Sequence, residues 1–213
     1  MSSLDSRESV TLSVLKHIHG KAVFERRVRV LADLLAKWIP SDADVLDIGC
    51  GDGKIASLVR SRNPTVDIQG IEFAPRPTCL IDCKPFDGKT IPHPDASFDV
   101  SMFVDVLHHT NEIAKLLSEA CRVSRQFVLI KDHLAEDRFD FMTLKLMDWV
   151  GNRPHGVILP YNYQNRAQWN QYFQAAGMNV REWQDRIPLY PPPFSALFGR
   201  RLHFIALLGK TKP

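Results

Sequence analysis

Short apolar runs alternate with longer amphipathic stretches along the chain, a pattern typical of βαβ units with a mostly parallel sheet. The predicted strands are Asp44–Ile48, Val66–Ile71, a weak one within Thr78–Lys84, Asp99–Val104, Phe127–Lys131, Val180–Trp183 and His203–Leu208. The predicted helices are Ala22–Trp38, Lys54–Arg60, Asn111–Val123, Phe139–Val150 and Asn165–Ala176. Seven strands interleaved with helices predict an α/β fold with helices on both faces of the sheet.

Residues with special backbone preferences mark several helix ends. Pro40 stops the first helix, Asn111 is placed near the N-cap of the third, and Gly177 caps the last.

The chain is predicted to form a single domain over residues 1–213, with residues 22–133 as its core. Residues 134–164 are long for a connection after the fifth strand, and residues 165–213 supply the last helix and two strands. We interpret the 134–164 segment as an insertion that builds a substrate pocket or lid. A surface embellishment without a role is the alternative.

Composition indicates an ordinary globular protein. The 213 residues are 45% hydrophobic and 24% charged, and the net charge of +3 is too small to indicate nucleic-acid binding. No run of about 18 apolar residues predicts a membrane span. Four cysteines do not form a disulfide framework, so we expect reduced thiols, a cytoplasmic protein and no metal site. A metal bound by Cys79 and Cys83 is the alternative.

A glycine-rich turn follows the first strand, in the sequence Val45-Leu46-Asp47-Ile48-Gly49-Cys50-Gly51-Asp52-Gly53. Glycines let a ligand approach the backbone, and the following helix start offers free N–H groups. Asp47 and Asp52 would repel a pyrophosphate but suit a ligand that carries an ammonium and a sulfonium. The turn also fits G-x-G-x-x-G poorly, because Lys54 stands three residues after Gly51, so an NAD-dependent oxidoreductase is disfavoured.

A second acidic position ends the next strand, in Gly70-Ile71-Glu72. Glu72 lies about 20 residues beyond the glycine turn, which is the spacing of a carboxylate that binds ribose hydroxyls.

These motifs resemble the class I S-adenosylmethionine-dependent methyltransferases, and within them the small-molecule enzymes that include those of ubiquinone and menaquinone biosynthesis. Further segments match in order, and the resemblance covers about Val28 to His133. They are Asp87-Gly88-Lys89-Thr90-Ile91-Pro92, Asp95-Ala96-Ser97-Phe98-Asp99-Val100, Val106-Leu107-His108-His109, and Glu119 with Arg122 and Val123. The resemblance implies a Rossmann-like, seven-stranded sheet. One departure is Ser124-Arg125-Gln126, where the family has a link with proline and glycine, so we expect a differently built turn.

The resemblance also implies how the chain would bind S-adenosylmethionine. Asp47 and the Gly49-Cys50-Gly51 turn would hold the methionine part, and Glu72 would bind the ribose hydroxyls. Further cofactor contacts are implied at the adenine ring and at the end of the fourth strand, by Phe73, Asp87, Gly88 and Phe103.

Catalytic candidates lie after the fourth and fifth strands, at the edge of the sheet where α/β sites form. A hydroxyl acceptor needs a base, and His108, His109 or His133 could serve, with Asp132 beside His133. By position, His133 is a slightly better base than His109. Packing or simple hydrogen bonding is the alternative for each histidine.

The aromatic, proline-bearing stretch Asn152–Tyr163 is interpreted as a substrate-recognition loop. Its predicted acceptor contacts, together with His109, are Arg153, His155, Tyr161 and Tyr163. The Leu189–Leu197 segment is interpreted as a stiff connection, and a weak membrane-surface contact flanked by Arg200 and Arg201 is the alternative.

The sequence thus predicts methyl transfer from S-adenosylmethionine to a small-molecule acceptor, most simply an oxygen, without nucleic acid as partner. An RNA or protein methyltransferase is one alternative. Asp105-Val106-Leu107-His108 stands where enzymes that methylate nucleobase amines carry Asn/Asp-Pro-Pro-Tyr/Phe. A non-catalytic, cofactor-binding partner subunit is the other alternative.

Overall fold

The computed structural model describes residues 23–152, 160–192, 195 and 198–211. Its strands are β1 (Asp44–Ile48), β2 (Asp67–Glu72), β3 (Asp82–Pro85), β4 (Phe98–Val104), β5 (Ser124–His133), β6 (Met178–Gln184) and β7 (His203–Lys210). Its helices are α1 (23–38), α2 (Lys54–Arg62), α3 (Ile113–Val123), α4 (Arg138–Asn152) and α5 (Arg166–Ala175), with a short 3₁₀ turn over Leu107–His109.

The strands form one sheet in the order β3-β2-β1-β4-β5-β7-β6, in which β7 alone runs antiparallel to its neighbours β5 and β6. The predicted seven-stranded, mostly parallel sheet is confirmed. The chain runs outward from β1 in one direction to β3 and then starts again at β4 on the other side of β1. Ligands of α/β proteins bind at such a switch point, beyond the carboxyl ends of the strands.

Alternating strand residues feed two cores, one on each face of the sheet. On one face, Leu31 and Leu35 of α1 and Val59 of α2 pack against sheet residues such as Val45. On the other face, helices α3 and α5 pack against residues such as Leu46. Helices therefore cover both faces of the sheet, as predicted.

Helix α5 has a capping box, in which the Asn165 side chain accepts from Gln168 N and the Gln168 side chain accepts from Asn165 N. Helix α3 is confirmed, although it starts two residues later than predicted. Its N-cap is Glu112, next to Asn111, and Glu112 makes no side-chain hydrogen bond at the helix start. The polypeptide first completes the 3₁₀ turn, and Thr110 Oγ1 accepts from Glu112 N at 3.0 Å.

The predicted turn at Ser124-Arg125-Gln126 is also wrong, because β5 begins at Ser124, directly after α3. Ser124 Oγ donates to Ala120 O at 2.7 Å, and a register shift between Phe98 and Val100 of β4 accommodates the strand start. Arg125 Nε donates to the Asp99 carboxylate at 2.9 Å. Hydrogen bonds and an ion pair thus hold the start of β5, at the position where the resembling family has a link with proline and glycine.

Within the described residues, no helix combines the length and the apolar character needed to cross a membrane. In the Leu189–Leu197 segment, Leu189 is fully buried in the core, and residues 193, 194, 196 and 197 lie outside the part of the chain that the structure describes.

Candidate active site

The turn after β1 requires glycine for conformational reasons. Gly51 has φ +60°, and a Cβ added there would meet no atom of the described residues within 4 Å, so these residues leave the space above it open. Gly49 has φ +74° and its N–H donates to Ile71 O at 2.8 Å, which fastens the turn to β2. The turn therefore exposes backbone to a ligand from a fixed position.

Glu72 at the end of β2 folds over this turn. Its Oε2 accepts from Gly51 N at 2.8 Å, and its Oε1 accepts from Phe73 N at 2.8 Å. The carboxylate is thus fixed beside the glycine turn, and ribose binding by Glu72 stays a prediction.

Asp47 at the end of β1 is a buried carboxylate with an unsatisfied oxygen. The side chain is 3% exposed, and Oδ1 has no hydrogen-bond partner in the described part of the chain. Burial and the nearby Glu72 charge raise the pKa of Asp47 to about 7. A buried carboxylate oxygen without a partner, next to a second carboxylate, suits a cationic hydrogen-bond donor such as an ammonium group.

The rim of this site is formed by Phe73, Asp87 and Gly88. Phe73 is 72% exposed, and its ring lies 3.5 Å from where a Cβ on Gly88 would stand. Asp87 Oδ1 accepts from Lys89 N and Thr90 N, each at 2.7 Å, and these bonds lower the pKa of Asp87. An exposed aromatic face beside a fixed carboxylate suits a planar base such as adenine.

The second half of the site is a cluster of buried polar side chains at the ends of β4 and β5. Asp132 Oδ1 accepts from His108 Nδ1 at 2.7 Å and from His133 N at 2.7 Å, and Oδ2 accepts from Leu107 N at 2.9 Å. The two imidazoles meet at an Nδ1–Nδ1 distance of 3.1 Å. The structure therefore brings together His108, Asp132 and His133, the three predicted catalytic residues.

The two histidines have opposite electrostatic environments. Burial lowers the pKa of His108, but the charge of Asp132 and its hydrogen bond outweigh burial, so the pKa is raised. Burial and the His108 charge lower the pKa of His133 to about 4. Burial raises the pKa of Asp132, but the charges and hydrogen bonds of His108 and His133 outweigh burial and lower it. His108 is thus the stronger base of the pair.

Two further side chains lie next to the histidines. Asp148 belongs to α4, and Tyr163 lies between α4 and α5. Tyr163 OH donates to Asp148 Oδ2, and the same oxygen lies 3.6 Å from His108 Nε2. His108 is only 2% exposed, and Asp148 is the carboxylate next to its Nε2. The 134–164 segment therefore supplies part of the wall of the cluster.

A partly buried group of charged side chains lies next to this wall, and only its Lys131 is fully buried. Lys131 of β5 pairs with Asp105 Oδ1, and Arg27 of α1 pairs with Asp105 Oδ2 at 2.5 Å. Burial raises the pKa of Asp105, but the two cations outweigh it and hold the pKa well below its ordinary range. His203 of β7 lies 3.4 Å from Lys131 Nζ.

Sequence reasoning missed five members of the cluster. Two of them carried a signal, since Lys131 stood within a strand predicted to be buried, and Asp148 stood on a helix rich in apolar residues. Such isolated charges among apolar residues predict a buried ion pair. The other three, Arg27, Asp105 and His203, come together only through tertiary structure.

The remaining predicted residues fall into three groups. His109 and Tyr161 lie near the cluster, with the His109 and His108 rings 3.9 Å apart, and His109 Nδ1 is buried without a partner in the described residues. Phe103 was predicted to line the cofactor site. Its side chain is instead fully buried in the core and does not face an open site. Arg153 and His155 lie outside the described residues.

Comparison with known proteins assigns the class. Residues 20–182 match the family model described as methyltransferase domain, so the chain belongs to that family. Solved structures that share the fold include S-adenosylmethionine-dependent methyltransferases. The chain therefore carries a methyltransferase domain over most of its length.

Two curated relatives cover part of the chain. A segment of 119 residues is 29% identical to 27-O-demethylrifamycin SV methyltransferase of Amycolatopsis mediterranei (strain S699), covering 49% of this chain and 43% of that protein. A segment of 112 residues is 35% identical to ribosomal RNA-processing protein 8 of Rattus norvegicus, covering 53% of this chain and 22% of that protein. The chain thus spans less than half the length of either relative.

Among solved structures, a chain in the complex that contains the Haloferax volcanii Trm112 methyltransferase activator superposes with a TM-score of 0.67. Its sequence is 13% identical, and the match covers 90% of this chain and 93% of that chain. At this identity the likeness shows the fold alone.

The described residues fit S-adenosylmethionine, the cofactor that the sequence motifs imply. The unsatisfied Asp47 oxygen suits the ammonium of S-adenosylmethionine, and the open backbone at Gly51 lets the ligand approach. Glu72 stands where it could accept from ribose hydroxyls, and two carboxylates disfavour a pyrophosphate cofactor.

Proposed function

We propose that this protein methylates a hydroxyl group of a small molecule that binds between the sheet edge and the 134–164 segment. The observation that carries the proposal is the buried His108–Asp132 pair, with a distance of 2.7 Å between His108 Nδ1 and the carboxylate. Methylation of a hydroxyl requires removal of a proton, and a histidine oriented by a carboxylate is suited to that step. Within the family, the proposal groups the chain with the small-molecule enzymes resembling those of ubiquinone and menaquinone biosynthesis.

Cofactor binding is assigned to Asp47, the Gly49-Cys50-Gly51 turn and Glu72, with Phe73, Asp87 and Gly88 at the adenine end. When bound, S-adenosylmethionine supplies an activated methyl group for in-line displacement. The protein then contributes orientation of the two reactants and a place for the proton.

The proton acceptor is His108 Nε2. Because His108 Nδ1 faces Asp132, the tautomer with the proton on Nδ1 leaves Nε2 free to take the acceptor's proton. Asp132 also holds the backbone of the 3₁₀ turn through Leu107 N, so it positions the imidazole as well as stabilising its charge. His133 remains neutral near pH 7 and acts as a positioning residue.

The acceptor enters on the side now closed by Asp148 and Tyr163. Because Asp148 Oδ2 lies 3.6 Å from His108 Nε2, an acceptor oxygen must take the place of this carboxylate to be deprotonated. Binding of the acceptor therefore requires α4 to shift or Asp148 to turn away. His109 and Tyr161, whose rings lie next to those of His108 and Tyr163, are assigned to acceptor contacts, together with Arg153 and His155.

The test is release of S-adenosylhomocysteine from a panel of phenols, alcohols, thiols and amines, with the His108→Gln variant in parallel. We expect turnover with a hydroxyl compound, a loss of 100-fold or more in His108→Gln, and wild-type turnover in His93→Gln, which changes a partly buried histidine outside the cluster. Turnover confined to amines or thiols, or an active His108→Gln variant, would remove the assignment.

RNA is the second candidate acceptor, because one relative is named as a ribosomal RNA-processing protein. The net charge of +3 gives little electrostatic support for it. Incubation with total RNA and labelled cofactor separates the two proposals, since only an RNA methyltransferase places label in the RNA.

All four cysteines are free thiols, which supports a cytoplasmic location.

A further inference from the structure

Three of the four cysteines converge beside the cofactor turn. The Sγ atoms of Cys50, Cys79 and Cys83 all lie within 4.8 Å of one another, and the Cys50 and Cys83 sulfurs are 3.3 Å apart. Cys50 belongs to the turn after β1, Cys79 to the loop before β3, and Cys83 to β3 itself. The sequence predicted four reduced thiols, with a metal bound by Cys79 and Cys83 as the alternative, and neither interpretation placed Cys50 with them.

Glycines on neighbouring segments make room for the sulfurs. A Cβ added to Gly70 of β2 would stand 2.5 Å from Cys50 Sγ, and one added to Gly53 would stand 3.0 Å from Cys79 Sγ. Larger residues at these two positions would push the thiols apart. The cluster is thus accommodated by the backbone of two separate segments.

The loop that carries Cys79 is fastened in place. Leu80 N donates to Asp52 O at 2.9 Å, which ties the loop to the glycine turn, and Cys79 N donates to Arg76 O at 3.2 Å. Cys83 lies in β3, which pairs with β2 next to Gly70. The three sulfurs are therefore held by hydrogen-bonded backbone rather than by flexible ends.

We propose that Cys50, Cys79 and Cys83 form a three-thiolate site for a soft d¹⁰ metal ion, Zn²⁺ or Cu⁺. A metal–sulfur bond of about 2.3 Å places coordinating sulfurs about 4 Å apart, so the sulfurs need only small shifts. Soft thiolate ligands select these two ions among the common ones. Zn²⁺ would need a fourth ligand, such as water, to complete its tetrahedral coordination.

Binding replaces protons by the metal. Burial and the neighbouring Asp47 charge raise the pKa of Cys50, and burial raises that of Cys83, so both are protonated thiols near pH 7. Each S–H bond breaks as a sulfur–metal bond forms, and up to three protons pass to solvent. The bound ion joins three chain segments, one of which carries Gly51.

The experiment is titration of the phosphine-reduced wild-type protein with Cd²⁺, an optical substitute for Zn²⁺. We expect one equivalent to produce thiolate-to-cadmium absorption, with Zn²⁺ or Cu⁺ displacing it. Cys79→Ser and Cys83→Ser should each weaken binding by about 100-fold, because each loses one of three sulfur–metal bonds. Cys121→Ser, a thiol of α3 outside the cluster, is the matched control and should bind as wild type.

Alkylation mapping tests the same site without a variant. Bound metal should protect Cys50, Cys79 and Cys83 from an alkylating reagent and leave the labelling of Cys121 unchanged. Binding without thiolate absorption, as at a histidine site, would overturn the proposal. Unchanged labelling of the three thiols, or failure of all three metals to bind, would do so as well.

Discussion

Asp47, at the end of β1, has a buried oxygen without a hydrogen-bond partner in the described residues, whereas Asp132, at the end of β5, accepts three hydrogen bonds. Both carboxylates are buried, and both end parallel strands of the same sheet. Their pKa values move in opposite directions, upward at Asp47 and downward at Asp132. The Asp47 carboxylate thus has an oxygen that a ligand could complete at the proposed cofactor end, while the Asp132 carboxylate at the proposed acceptor end is completed by the protein itself.

Loss of the Asp132 charge should give the largest effect. We expect Asp132→Asn to lower the free energy of unfolding by about 3–5 kcal/mol, because the buried His108 imidazole would lose the carboxylate that accepts from its Nδ1. Chemical denaturation measures this change. Asp95→Asn is the control, since the Asp95 side chain is 78% exposed in its pair with Arg122, and it should cost at most about 1 kcal/mol. Equal losses would mean that Asp132 is not the centre of the cluster.

The opposite result is expected at Asp47. Asp47→Asn should weaken S-adenosylmethionine binding by 10-fold or more, which is about 1.4 kcal/mol, and leave the ligand-free protein at least as stable as wild type at pH 8. The folded state binds the Asp47 proton more tightly than the unfolded chain does. Stability from this group is therefore lost as the pH rises from about 4 to 7, and asparagine removes that loss. Calorimetry and thermal unfolding measure the two effects.

The same raised pKa predicts a pH dependence. Below pH 7 the Asp47 carboxyl is protonated and cannot pair with an ammonium, so the affinity for S-adenosylmethionine should rise between pH 6 and pH 8. In Asp47→Asn this rise should disappear. A wild-type affinity that stays flat over this range would place the ammonium elsewhere.

At His133, a smaller effect confined to turnover is expected. His133→Ala should reduce turnover by about 10-fold, because His108 loses a neighbour at 3.1 Å, and should leave the dissociation constant of S-adenosylmethionine unchanged. Steady-state kinetics with the identified acceptor separates the two constants. A loss of cofactor affinity instead would show that the two halves of the site are not independent.

The smallest effect is expected at Phe73. Removal of an exposed ring in Phe73→Ala should weaken cofactor binding about 5-fold, since aromatic stacking contributes about 1 kcal/mol, and should not alter stability. Phe139→Ala removes a comparably exposed ring on α4 and serves as control. Equal cofactor affinity in wild type, Phe73→Ala and Phe139→Ala would show that Phe73 does not contact the adenine.

The sheet and the glycine turn that ends β1 could be predicted because their signals are local. An apolar strand, a glycine turn and Glu72 about 20 residues later are visible within one βαβ unit. At the acceptor end, Arg27 and Lys131 meet Asp105 from elements more than 25 residues away, and no short motif encodes that meeting. The start of α3 was wrong for a similar reason, because the preceding 3₁₀ turn is held by Asp132, a residue of the next strand.

Calorimetric titration of the wild-type protein with S-adenosylmethionine and, separately, with NAD tests the central claim most directly. We predict saturable, one-to-one binding of S-adenosylmethionine, a loss of about 10-fold in Glu72→Ala, which no longer offers acceptors to the ribose hydroxyls, and no binding of NAD. Binding of NAD, or failure of S-adenosylmethionine to bind the intact protein, would contradict the account.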